Sequence, residues 1–159
     1  GIIIDHVTKG VLIGKKAKLP QVILDFIPQH HGTQVVEYFW NKAGENGVKA
    51  QASEKHFRYP GPKPQSIEAA ILMIVDAVEA ASRTLPEHTR PAVEALVRHI
   101  IEKRIEDDQL DECKITTEDL ARVRASVVGA LESAFHSRVQ YPWQEVEPDK
   151  EKRSAIDKT

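Results

Sequence analysis

Two adjacent histidines, His30 and His31, close a short apolar run and stand just before Gly32. Read backwards from His30, the residues Ile23, Phe26 and Ile27 fall at i−7, i−4 and i−3, one face of a helix. His30 is therefore expected on the core-facing side, with His31 one turn after Ile27. Imidazoles set against an apolar wall are either hydrogen-bonded structural groups or metal ligands. Asp76 is a second anomaly, because it interrupts the apolar run from Ala69 to Val78. A carboxylate there is costly to bury unless it is hydrogen-bonded, paired or on a metal. It shares a face with Leu72, Glu79 and Arg83, so that face also reads as the wet side of a helix with an ordinary Glu79–Arg83 pair. His6 lies beside another apolar stripe. If His6, His30, His31 and Asp76 converge in a helical bundle, they form a nitrogen–oxygen site suited to iron, manganese, zinc or a similar divalent ion. If they do not, the histidines are hydrogen-bonded core groups. His56, His88, His99 and His136 sit in loops or among charged neighbours and read as surface or boundary residues.

The elements that must position these residues read as helices nearly throughout. Segment one runs from about Ile2 to Lys18, with Ile3, Val7, Gly10, Val11 and Gly14 on one stripe. Leu19-Pro20 ends it, and Pro20 can start segment two, which runs to His30 with Gly32 as its terminating residue. Segment three spans Thr33 to Ala43 and stops at Gly44, with Thr33 as its cap and Asn46-Gly47 as a turn. The stretch from Gly44 to Ser66 is irregular and ends in Phe57-Arg58-Tyr59-Pro60-Gly61-Pro62-Lys63-Pro64. It is either a stiff connector or a loop that presents Arg58, Tyr59 and Lys63 to an anion. Segment four begins at the Ser66 cap and runs to Thr84, with Ile67, Ala70, Ile71, Ile74, Val78 and Ala81 as its stripe. Segment five starts near Pro91 and carries Val93, Leu96, Val97, Ile100 and Ile101. An acidic linker, Asp107 to Glu112, leads to the Thr116 cap of segment six, with Leu120, Val123, Val127 and Leu131. No strand alternates convincingly, so the fold class is all-α.

Composition narrows the function classes. The 159 residues are 41% apolar and 29% charged, with a net charge of −2, the balance of a soluble domain. No basic block is long enough for a nucleic-acid polymer. The single cysteine, Cys113, excludes an internal disulfide. Apolar runs such as Ala69 to Val75 are far too short to span a bilayer. The N-terminus has no basic region and is not a signal peptide; it opens without a cap, as if inside a helix.

Four strings occur in order: His30-His31-Gly32-Thr33; Phe57-Arg58-Tyr59-Pro60-Gly61-Pro62-Lys63-Pro64; Asp76-Ala77-Val78-Glu79-Ala80-Ala81-Ser82-Arg83; and Asp108-Gln109-Leu110-Asp111-Glu112-Cys113. Together they resemble the intracellular HD-hydrolase domain of bacterial seven-transmembrane receptors, whose best-known members are cyclic-di-AMP phosphodiesterases. The resemblance implies an HD-domain-like helical bundle over residues 1–143 and a charged tail over 144–159. It implies two divalent ions in the complete domain, iron or manganese. His6, His30 and His31 would ligate one ion, and Asp76 would complete the other. Catalytic residues beyond these ligands are not identified. Arg58, Lys63 and Arg83 are the expected phosphate contacts.

The implied activity is hydrolysis of a cyclic dinucleotide, cyclic-di-AMP being expected, to a linear dinucleotide. The chain would be a cytoplasmic domain of an inner-membrane protein, touching the membrane only through transmembrane segments absent here, and a homodimer is a further expectation. The chain departs from the family in having no His-Asp dipeptide; Asp5-His6 is in reverse order. The resemblance implies that the missing ligands lie upstream of residue 1. The domain is then N-terminally incomplete, and this chain alone is expected to be a poor catalyst. The alternative is a non-catalytic nucleotide-sensing or protein-interaction helical module.

Overall fold

The computed structural model describes residues 2–45 and 54–136. The expected Asn46-Gly47 turn and the charged tail over 144–159 lie outside the described residues. Six α-helices follow one another: α1 (Ile2–Lys16), α2 (Gln21–Gln29), α3 (Glu37–Glu45), α4 (Ile67–Ser82), α5 (Arg90–Glu106) and α6 (Thr117–His136). Among the described residues one 3₁₀ turn, Glu54–Phe57, precedes the proline-rich loop. Among the described residues the only extended pairing is an isolated antiparallel bridge between Val35 and Arg58. The all-α expectation holds.

The main core is made by α4, α5 and α6. Ala70, Ile74 and Val78 of α4 pack with Val93, Val97, Ile100 and Ile101 of α5 and with Leu120 and Val128 of α6. Each buried aliphatic side chain stabilises the fold by roughly 1.5–3 kcal/mol relative to exposure. The caps expected at the starts of α4 and α6 form. Ser66 accepts a hydrogen bond from the Ala69 N–H at 3.2 Å. Thr116 Oγ1 accepts from the Asp119 N–H at 3.1 Å, and the Thr116 N–H donates back to Asp119 Oδ2 at 3.0 Å. This reciprocal box satisfies donors that the first turn leaves orphaned.

The helices α1 and α2 form a hairpin whose α2 side rests on α4. Glycines set the closeness of the hairpin. A Cβ on Gly14 would lie 2.6 Å from Leu24 Cδ2, and one on Gly10 would lie 2.9 Å from Ile27 Cγ2. The contact face of α2 is thus Leu24 and Ile27, whereas Ile23 is largely exposed. The stripe expected through Ile23 is corrected by about one residue of helical phase.

Segment three also differs from its expected bounds. Residues 34–36 are extended because they pair with the proline-rich loop: the Val36 N–H donates to Phe57 O at 2.7 Å, and the Tyr59 N–H to Gln34 O at 2.9 Å. Two consecutive β-branched valines favour that geometry. Helix α3 therefore begins at Glu37 and runs through Gly44 to Glu45. Thr33 caps nothing; its N–H donates instead to the Gln109 side chain.

The turn after α2, where the chain leaves the hairpin, is tightly packed against other elements. Gly32 has φ +53°, and a Cβ there would lie 2.5 Å from Gln109 Oε1 and 2.8 Å from Met73 Cε. Gly32→Ala is expected to lower unfolding free energy by at least ~1–2 kcal/mol, the cost of a left-handed L-residue. Chemical denaturation measures it, and an unchanged midpoint would show that the turn has another conformation.

Candidate metal centre

The hairpin and the turn bring three imidazoles together. His6 projects from the middle of α1, His30 follows the last residue of α2, and His31 lies in the turn. One ligand-capable atom from each lies within 4.8 Å of the others. His31 Nε2 and His6 Nε2 face each other at 3.0 Å. Imidazole nitrogens ~2.0–2.1 Å from one tetrahedral ion would stand about 3.3 Å apart, so the separation suits a shared ion. His30 Nδ1 lies 2.6 Å from the Ile27 carbonyl oxygen. A carbonyl only accepts, so Nδ1 carries the proton and the neutral ring's lone pair is left on Nε2. Such a backbone bond fixes tautomer and ring direction in histidine metal sites.

Electrostatics favour the neutral form of the central ligand. Burial, then the proximity of His30, His6 and Arg104, lowers the His31 pKa from 6.5 to about 4. Tyr59 stacks on His31 with ring centroids 4.3 Å apart and planes 13° from parallel. The Val35–Arg58 bridge sets this stack, since it fixes the backbone of Tyr59. Burial, and then the charge of Asp76, raises the Tyr59 pKa.

A cavity of about 650 Å³ opens beside His30 and His31. Asp76, Ala77, Ala80 and Ala81 of α4 line one wall, and Leu96, His99, Lys103 and Arg104 of α5 line another. Asp76 is exposed on this wall and is not a member of the close histidine group. Arg58 also lines the cavity, but carboxylates occupy its guanidinium. It reaches both oxygens of Asp107 at 2.7 and 3.1 Å, and Glu54 at 2.6 Å. Arg83 pairs with Glu79 on the exposed face of α4. Neither Arg83 nor Lys63 lines the cavity.

Several participants escaped the sequence reading. His99, read as a surface or boundary residue, is indeed exposed, but its exposed side lines the cavity, four residues before Lys103 on α5. Gln109 is fully buried and binds Thr33, although its neighbours read as an acidic linker. Gln29 is buried at the end of α2, where its Oε1 accepts the Gln65 N–H at 2.9 Å. No periodicity marks either glutamine.

No protein-family profile matches the chain. Two curated relatives named cyclic-di-AMP phosphodiesterase PgpH do match it. The one from Bacillus subtilis is 43% identical over 141 residues, and the one from Listeria monocytogenes 40% identical over 141 residues. Each alignment covers 89% of this chain, which spans only about a fifth of those relatives. The solved HD domain of the L. monocytogenes phosphodiesterase PgpH, in complex with cyclic-di-AMP, superposes with a TM-score of 0.81 at 39% identity. That superposition covers 88% of this chain and 65% of the solved one. The chain is homologous to the PgpH HD domain. The resemblance carried by the four strings is thereby borne out, as is the HD-domain-like helical architecture. A second structure of the PgpH HD domain from L. monocytogenes superposes with a TM-score of 0.78 over 85% of this chain.

The depressed His31 pKa makes the metal-free chain sensitive to acid. Between 6.5 and about 4 the unfolded chain binds a proton at His31 that the folded chain rejects. The stability contributed by neutral His31 is complete above the upper limit and is lost as pH falls through the window. Melting is expected at lower temperature near about pH 4.5 than near about pH 7, and His31→Gln should shallow that slope. A wild-type slope in the variant would assign the acid sensitivity to another group.

Proposed function

We propose that this chain is the ligand-bearing part of a divalent-metal phosphodiesterase that cleaves a cyclic dinucleotide, cyclic-di-AMP, to its linear form. The observation that carries the reading is the histidine trio, three converging imidazoles of which His30 and His31 line a cavity of about 650 Å³ and His6 does not. Homology to a domain solved with cyclic-di-AMP supports the substrate class. His6, His30 and His31 would hold one ion, and Asp76, on the adjacent wall, would serve a second; iron or manganese suits this donor set. A divalent ion bound there supplies charge to the phosphoryl oxygens and activates a water for attack at phosphorus.

The chain's own residues supply orientation and surroundings. The His30–Ile27 bond and the Tyr59 stack hold two ligands in direction. Ala77, Ala80 and Leu96 form an apolar wall against which a base can rest, with His99 at its edge beside Lys103, which is paired with Glu106 at 2.8 Å. Arg58 is engaged by Asp107 and Glu54, so its proposed part is structural support. Lys63 keeps a proposed role as a phosphate contact on the loop that carries Tyr59; Arg83, paired with Glu79 outside the cavity, is the weakest of the three. No described helix is long and apolar enough to cross a membrane. In the parent protein the domain is proposed to sit on the cytoplasmic side of a bacterial membrane.

Manganese titration of the purified chain tests the site. His30→Ala and His31→Ala are each expected to weaken binding by more than ~100-fold, since changes behind the ligands alone cost ~10–100-fold. Unchanged affinity in both would remove the trio from the metal site. Cyclic-di-AMP turnover with manganese is expected from a longer chain spanning the whole HD domain. The present chain, matching 65% of the solved domain, should turn over far more slowly. Binding without turnover by the longer chain would favour a nucleotide sensor.

A further inference from the structure

The turn that carries His31 is held from beneath by a closed ring of polar contacts to the end of α5. The Thr33 N–H donates to Gln109 Oε1 at 2.9 Å, and Gln109 Nε2 donates to Thr33 Oγ1 at 2.9 Å. The same amide nitrogen faces Asp107 O and Asp107 Oδ2, both at 3.0 Å. Asp107 is gripped by both terminal nitrogens of Arg58, and Arg58 Nη1 also donates to the Thr33 carbonyl at 2.8 Å. Both backbone polar groups of Thr33 are thus bound by side chains distant in sequence. The neighbouring amides are bound too: His30 N–H to Phe26 O, Gly32 N–H to Gln29 O, and Gln34 N–H to His31 O.

Gln109 is the member that ties this ring together. It is wholly buried, and its Oε1 fills the space that a side chain on Gly32 would need. A buried amide in an acidic connection is costly unless its donors and acceptor are engaged, and here they are. Metal ligands must be held within about 0.5 Å of productive geometry by groups that are themselves locked. His31 makes no direct contact with Gln109, yet its backbone direction is set by the turn that Gln109 clasps.

We propose that Gln109 is a positioning residue for the metal site, acting through Thr33 to fix the direction of the His31 imidazole. The inference rests on the trio holding a divalent ion. It assigns a role in ion binding to a residue far from the ligands in sequence, acting through the backbone of the turn that carries them. Gln109→Met keeps side-chain length and removes the hydrogen bonds. Thr33→Val removes the hydroxyl contacts at a half-buried position, and Thr33→Ser preserves them.

Cobalt(II) binding to the purified chain, followed by titration and by its visible absorption, tests the proposal. Gln109→Met is expected to weaken cobalt affinity ~10–100-fold and to alter the band shape, as changes behind metal ligands commonly do. Thr33→Val should show the same change to a smaller degree, and Thr33→Ser should bind as the parent does. Thermal melting of the metal-free chains identifies a variant that has lost its fold; if Gln109→Met does, the comparison of Thr33→Val with Thr33→Ser decides the question. Parent-like affinity and spectrum in every folded variant that lacks these bonds would overturn the positioning role while leaving the metal site intact. A parent chain that takes up no cobalt would overturn the metal site, and the positioning role with it.

Discussion

Everything at the candidate site depends on a four-residue turn that leaves α2 through a left-handed glycine and must still present two imidazoles. Local bonds hold the His30, Gly32 and Gln34 amides of this turn, but the N–H and C=O of Thr33 need partners from outside it. The chain solves this by spending side chains from elsewhere. Gln109 takes one end of Thr33, and Arg58, locked to Asp107, takes the other. The Arg58–Asp107 pair leaves only 28% and 30% of its side chains exposed, so water screens it less than the ~0–1 kcal/mol surface pairs elsewhere on the helices. Its larger consequence is geometric. The fork that grips Asp107 also holds the Thr33 carbonyl, so the end of α5 and the histidine turn move together.

The same bridge residues reach the site a second way. Pairing of residues 34–36 with 57–59 takes Val35 and Val36 out of helix and lays Tyr59 flat on His31. One short extended contact therefore delivers both the arginine beneath the turn and the aromatic ring above it. That explains why a proline-rich connector follows directly. A segment with fixed φ angles, ending in buried Pro64, loses little entropy in keeping Tyr59 in place.

Much of this was legible in the sequence and some was not, for identifiable reasons. The helices α4, α5 and α6 carry stripes long enough for their phase to be read, and Ile74, Val97 and Leu120 fall in the core where periodicity puts them. The positive φ at Gly32 was legible because helix ends use glycine for a known geometric purpose. The start of α3 was misread, since Thr33 looks like a cap to any local rule and only a long-range amide contradicts it. The partners of Arg58 were illegible for the same reason: a cation in a loop is open to an anion until Asp107, on a distant helix end, is placed beside it. Gln109 left no trace at all, because a buried amide has no period and no charge. Histidine convergence lay between these cases. Each ring could be put near a stripe, but the 3.0 Å approach of His6 to His31 depends on Gly10 and Gly14 bringing α1 close to α2.

That close approach has a chemical consequence. Crowding three imidazoles costs free energy if any is charged, and it adds to burial, the larger cause, in lowering the His31 pKa. A cation arriving at neutral pH would not first have to displace a proton from His31. Three imidazole donors would leave part of a bound ion's coordination shell free, the arrangement that distinguishes reactive from purely structural sites. The cavity adjoins His30 and His31, with Asp76 on one wall and His99 and Lys103 on the other. The α5 wall is itself of mixed charge, since Lys103 pairs with Glu106 at 2.8 Å and both Glu106 and Asp107 line the cavity beside it.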